Sequence, residues 1–299
     1  MKPSTLDFRT VCECNRSFNC RTLHPQIGVI TLQGPDLKQQ AVKFEFYAIL
    51  FIEKCDDGCC GCGRRSDDYT CATMVFLQPG EIFRMSEAGA LPDKGWLLAF
   101  HPDLLDRTSL KNHLRNYTFF SYRKEEALHL SQREAATVTD CMQHITGELQ
   151  HAVDTHSATI LSRHIELMLD YCARFYERQF ITRETRNKSL LEELDTLFGA
   201  WIRTGFPNGS AGFTPEYCAA KLGLSVPYFK DLLEFETGKT LDEYFQLKRI
   251  DAAKELLLKA GNTPSDVAGR LGYANVQYFS LLFRKMTGFS PSEYRLSRN

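Results

Sequence analysis

The feature that most limits what this chain can become is an internal repeat in its last third. Thr214-Pro215-x-x-x-Ala219-x-x-Leu222-Gly223 returns 49 residues later as Thr263-Pro264-x-x-x-Ala268-x-x-Leu271-Gly272. After a one-residue offset the match continues, with Tyr228-Phe229-x-x-Leu232, Thr237-Gly238 and Glu243-Tyr244 answered by Tyr278-Phe279-x-x-Leu282, Thr287-Gly288 and Glu293-Tyr294. Two such copies require two similar small units. Each reads as a helix, a tight turn and a second helix. Thr263 suits an N-cap, Pro264 the first helical position and Asp266 a capping box, and Thr214-Pro215 opens the earlier copy in the same way. Ala219 and Ala268 stand where two helices approach closely. Gly223 and Gly272 supply the left-handed backbone that ends the first helix.

In the second helix of each copy, Phe229, Leu232 and Leu233, or Phe279, Leu282, Phe283 and Met286, share one face at helical spacing. That face packs and leaves the other free. Thr240-x-x-Glu243 and Ser290-x-x-Glu293 are capping boxes, each opening a further helix, and a helix from 241 to about 258 joins the units. This geometry seats a second helix in the major groove of DNA. A small all-helical packing domain competes for one copy, but two copies with matching caps, turns and core positions favour DNA.

Residues 214 to 299 resemble the tandem helix-turn-helix domain of the AraC/XylS family. The resemblance lies in Ala219 to Gly238, in Lys248-Arg249-Ile250-x-x-Ala253, and in Gly272-Tyr273 through Ser290-Pro291-x-x-Tyr294-Arg295. It implies two recognition helices in successive major-groove segments, roughly 34 Å apart along the duplex. The expected DNA-reading residues are Val226, Pro227, Tyr228, Lys230 and Asp231 in the first unit, and Asn275, Gln277, Tyr278, Ser280, Leu281, Arg284 and Lys285 in the second. Gln pairs bidentately with adenine, Ser meets either base type, and Arg284 and Lys285 suit phosphates. The same face of the first unit also carries Glu234 and is a poor polyanion binder. The family generally has more basic residues at the positions of Asp231, Glu234 and Leu281, so weaker, ligand- or partner-dependent binding is expected.

Charge agrees in sign only. The chain has a net charge of -1, and the last 86 residues hold 12 Lys and Arg against 10 Asp and Glu. The longest uncharged apolar run, 46 to 52, is far below the roughly 18 residues of a membrane span, and the N-terminus has no signal-peptide pattern. A cytoplasmic protein with no membrane partner is expected, its eleven cysteines kept as thiols.

Upstream, residues 28 to 122 read as short strands at 29–32, 44–51, 73–77 and 96–100, with a turn at Pro79-Gly80. The pattern suggests a small antiparallel barrel, and the C-terminal resemblance implies the cupin-like effector domain of the family. Thr22-Leu23-His24-Pro25, the stretch Phe100-His101-Pro102-Asp103-Leu104-Leu105, and residues 174 to 180 also resemble segments of such regulators from Bacteroidetes-type bacteria. Phe46, Phe76, Phe83 and Trp96 are candidates to line a ligand pocket, against ordinary core. A cupin metalloenzyme competes, but the eight histidines include no His-x-His pair, and His24 and His101 each precede proline and suit turns. No enzyme and no cofactor is expected.

Cys55, Cys59, Cys60 and Cys62 fall within eight residues beside Gly58, Gly61 and Gly63. Four thiolates there could wrap one zinc or form a redox switch. The spacing is irregular and lacks the two Cys-x-x-Cys pairs of common zinc modules, so an unliganded hairpin tip is preferred. Between barrel and DNA domain, Val138, Met142, Ile145 and Leu149 form one helical stripe. Leu161, Ile165, Met168, Cys172 and Phe175 form another, suited to an intrachain hairpin or a homodimer seam. The polar run 182 to 188 marks a boundary, followed by an amphipathic helix over 190–202 and a loop over 206–214.

The expected fold is α+β. Residues 1–125 form a cupin-like effector domain, 126–182 a helical linker and dimerisation hairpin, and 183–299 an all-α DNA-binding domain. The expected function is a transcription regulator, activator or repressor, controlled by a small molecule or by association state, with double-stranded DNA, a small-molecule effector, a second copy and RNA polymerase as partners. An architectural protein without base readout is the rival from another class.

Overall fold

The computed structural model describes residues 5–32, 41–53, 62–66, 68–84, 94–203, 213–259 and 261–298. The chain divides into two compact units, Met1–Arg183 and Glu184–Asn299.

The first unit is mixed α and β. Its strands are β1 (Thr5–Phe8), β2 (Ile27–Thr31), β3 (Ala41–Phe44), β4 (Tyr47–Glu53), β5 (Ala72–Leu77), β6 (Ile82–Arg84), β7 (Gly95–Phe100) and β8 (Leu128–Leu130). Its helices are α1 (Val11–Ser17), α2 (Ser109–His113), α3 (Gln132–Leu149) and α4 (Ser157–Thr182). The order β2-β7-β4-β5-β8 makes a five-stranded antiparallel sheet, and β1-β3-β6 a three-stranded one. Among the described residues no register joins the two into a ring. The antiparallel expectation fails for one pair, since β1 and β3 run parallel.

The expected strand 44–51 is two strands in different sheets. Phe44 ends β3, Tyr47 opens β4, and the N-H of Gly80 in the Pro79-Gly80 turn donates to the Phe44 carbonyl at 2.7 Å. Phe44 and Phe46 both stay inside, with ring centroids 5.6 Å apart. The alternation therefore survives the corner, which is why the sequence reads as one strand.

One core lies between the sheets and gathers Phe8, Ile30, Val42, Phe44, Leu50, Val75, Leu77, Phe83 and Leu97. The opposite face of the five-stranded sheet is also covered. Phe76 packs on Phe119 at 4.5 Å and near Tyr176 of α4, and the Cys172 thiol lies 3.8 Å from the Met74 sulfur. All six residues of β5 are consequently buried, the one polar member, Thr73, with its hydroxyl 3.1 Å from the His129 Nδ1. The four candidate pocket aromatics do not share a surface. Phe46 and Phe83 are inter-sheet core, Phe76 faces the helices, and Trp96 stacks on Phe51 at 4.8 Å.

The segment 126–182, read as a linker, is part of this first unit. Both expected stripes are buried, and α3 packs on α4. Gln179 of α4, fully buried, donates to the Ala127 carbonyl at 3.0 Å and accepts from the His129 N-H at 2.8 Å, clamping the helix to β8. Arg178 adds two bonds to the Glu134 carboxylate and one to the His129 carbonyl. At the end of α4, buried Arg183 grips the buried Asp68 carboxylate at 2.8 and 2.6 Å, a bidentate ion pair. Burial pushes the neighbouring His129 down to about 4, so it is neutral at pH 7. His24 and His101 each accept a backbone N-H two residues on, both at 3.2 Å, which is the turn role expected of them.

The second unit is all α: α5 (Glu184–Arg203), α6 (Pro215–Leu222), α7 (Val226–Thr237), α8 (Leu241–Leu258), α9 (Pro264–Arg270), α10 (Val276–Thr287) and α11 (Pro291–Arg298). Helix α5 starts six residues before the stripe that predicted it. The polar run there is helical because Glu184 pairs with Lys188 at 2.6 Å, one turn on, and Asn187 reaches Glu236 at 2.8 Å. Leu190, Leu194 and Phe198 are its buried face, with Phe198 stacked on Phe245 of α8 at 5.4 Å. Asp195 accepts from the Tyr244 hydroxyl at 2.7 Å and pairs with Lys248.

Candidate nucleic-acid interface

The two helix-turn-helix copies, α6–α7 and α9–α10, are built by the same local devices. Thr214 caps α6 through the Tyr217 N-H, and Thr263 with Asp266 forms a capping box on α9. Ser225 and Asn275 cap the second helices, accepting from the Tyr228 and Tyr278 N-H groups at 3.3 and 2.7 Å. Between them, Gly223 and Gly272 each sit at φ 69°, where any other residue is strained. The chain then folds back so that the Leu224 N-H reaches the Ala219 carbonyl at 2.9 Å, and the Tyr273 N-H that of Ala268 at 3.0 Å. These bonds satisfy the last carbonyls of the first helix. Ala219 and Ala268 are buried at the crossing, where a longer side chain would hold the helices apart.

The second copy has one extra turn residue, Ala274, and an added staple. The Arg249 guanidinium of α8 donates through Nε (3.0 Å) and Nη2 to the Leu271 carbonyl at the end of α9 and lies 4.2 Å from the Tyr273 ring centroid. A cation on a helix's terminal carbonyl is favourable both as a bond and against the dipole. Its motif was visible in the sequence, but its partner lies 22 residues away and needed the fold.

On α10, Phe279 and Phe283 are fully buried, with Leu282 and Met286 packed against the same core. The opposite face carries exposed Gln277, Tyr278, Leu281, Arg284 and Lys285, with Asn275 exposed at the cap and Ser280 half-buried. Leu281 is 72% exposed. On α7, Lys230 and Glu234 are exposed, and Val226, Pro227 and Asp231 are half-buried. Tyr228 is the exception among the expected readers. It is only 3% exposed and belongs to the core, whereas its repeat partner Tyr278 is 52% exposed. Helix α7 holds one lysine against Asp231, Glu234 and Glu236, while α10 holds Arg284 and Lys285 with no acid. Residues that a polyanion attracts are thus concentrated in the second copy.

Of the cysteine cluster, Cys55, Cys59 and Cys60 lie outside the described residues, and Cys62 is buried in the inter-sheet core. Among the described residues no three His, Cys, Asp or Glu side chains are placed to hold a metal ion, and no helix is long and apolar enough to cross a membrane.

A model of a helix-turn-helix domain matches residues 218–297. The transcriptional activator RhaS of Klebsiella pneumoniae is 27% identical over 166 residues, 54% of this chain and 56% of that protein. The transcriptional activator RhaR of Escherichia coli is 24% identical over 155 residues, 50% of this chain and 52% of its own length. The chain thus spans about half the length of the curated relatives it matches. A solved transcriptional regulator from Chromobacterium violaceum, described as an AraC-type DNA-binding domain-containing protein, is 20% identical and covers 38% of this chain and 96% of its own. Its TM-score of 0.33 leaves the fold to be argued from this chain's own contacts.

Proposed function

We propose, from the premise that the chain belongs to the AraC/XylS family of regulators, that it binds double-stranded DNA sequence-specifically and regulates transcription, with the second helix-turn-helix copy as its anchor. The observation that carries this reading is the outer face of α10. Gln277, Tyr278, Leu281, Arg284 and Lys285 stand exposed on a helix whose other face is locked by Phe279 and Phe283. Such a helix offers groups to base edges near its start and cations to phosphates a turn later. The first copy contributes Val226, Pro227, Lys230 and Asp231, and through its carboxylates limits affinity.

Both named relatives are activators, and activation in the cytoplasm, with RNA polymerase as a partner, is the reading extended to this chain. The first unit is read as a cupin-like effector domain, supported by its two packed sheets. A small molecule, or a second copy seated on the outer side of α4 where Ile160 and Leu167 are exposed seven residues apart, would shift DNA binding only by favouring one of two states. Selection of bound duplexes from a random pool by the full chain, at one stated salt concentration, tests the function. Two enriched blocks about one helical turn, roughly 10 base pairs, apart are expected. An unenriched pool, both alone and with residues 184–299 used in place of the full chain, refutes the reading.

A further inference from the structure

We propose that α10 reads an adenine and thymine element, Gln277 pairing with the adenine edge and the Leu281 side chain covering the C5-methyl group of a thymine. This rests on the DNA-binding reading above and adds which bases the anchor copy selects.

The repeat sets the two recognition helices side by side. Aligned through Tyr228 and Tyr278, they carry Asp231 and Leu281 at one position, and Glu234 and Arg284 at another. Leu281 has no place in the protein's own core. Phe279, Leu282, Phe283 and Met286 occupy the inward face of α10, and Leu281 stands on the other side, 72% exposed. An isobutyl group can neither pair with a phosphate nor hydrogen-bond a base edge. The thymine methyl is the one apolar group that a base presents in the major groove.

Its surroundings supply the rest of a reading head. Gln277 lies four residues earlier on the same face and is exposed, and its amide matches the donor and acceptor of adenine N6 and N7. One helical turn advances about 5.4 Å, against a base-pair rise of about 3.4 Å. The two side chains therefore address bases one or two steps apart. Arg284 and Lys285, exposed three and four residues after Leu281, complement the phosphates that flank such a step. This cationic flank favours duplex DNA over an apolar protein surface as the occupant.

The test uses the full chain and the duplex recovered from selection. Each thymine is replaced singly by deoxyuridine, which removes only the methyl group. At one thymine the wild-type protein should lose about fourfold in affinity, the worth of one buried carbon. Leu281→Ala should bind the parent duplex more weakly and bind the thymine and uracil duplexes equally. For Gln277, 7-deazaadenine at a nearby adenine should weaken the wild type and leave Gln277→Ala unaffected. A uracil loss of the same size in Leu281→Ala, or no thymine sensitive to the change, overturns the proposal while leaving DNA binding intact. A fall in the thermal midpoint of Leu281→Ala would assign the residue to the fold and overturn it too. An unenriched pool removes the DNA-binding reading and this proposal with it.

Discussion

The two helix-turn-helix copies share a skeleton and differ in surface. Thr214 and Thr263, Gly223 and Gly272, Ser225 and Asn275 do the same work at the same places. Phe229 and Phe279 fill equivalent buried sites, 1% and 0% exposed. Yet α7 carries half-buried Asp231 and exposed Glu234 where the other copy has Leu281 and Arg284. The difference teaches that the folding requirements of such a unit are met by caps, one glycine and one apolar stripe. Its outer face is left free to become a reader or to be withdrawn from that role.

If the skeletons are equivalent, Phe229→Ala and Phe279→Ala should each cost about 3–5 kcal/mol in urea unfolding of the full chain, with hydrogen exchange locating the loss in the mutated copy. A large cost in one and a small cost in the other breaks the comparison. The staple on the second turn is a smaller asymmetry. Arg249→Ala should lose about 2 kcal/mol, the scale of a hydrogen bond from a charged group, and raise exchange at Gly272 and Tyr273 while sparing Gly223 and Leu224.

The surfaces are compared through salt. Replacing Arg284 and Lys285 together by Ala should lower the slope of log affinity against log salt by nearly 2, and Lys230→Ala by at most about 1. Equal slopes would make the first copy a full partner at the backbone. The smallest effect expected is a gain. Asp231→Asn with Glu234→Gln should raise affinity about two- to fivefold in a titration at low salt, the range of exposed charge interactions, and shrink as salt rises.

Much of the second unit was legible because its signals are local. A cap, a left-handed glycine and a period of 3.6 are each decided within a few residues, and these placed α6 to α11. Tyr228 shows the limit. It matches Tyr278 letter for letter, yet one ring is core and the other is in solvent. The first unit was less readable for a related reason. Strands β1, β6 and β8, of three or four residues each, are held by partners far along the chain. The alternation through Phe44 and Phe46 could not reveal that the chain changes sheets there.

The sequence by itself determined that two similar helical hairpins exist, where they begin and turn, and which copy carries the cations, since backbone conformation and charge are written residue by residue. Only the tertiary structure decided which tyrosine is withdrawn into the core, that Arg249 braces the second turn, and that Asp68 and Arg183, 115 positions apart, meet as a buried pair. Burial and long-range pairing depend on which surfaces face each other, and that is a property of the packed chain.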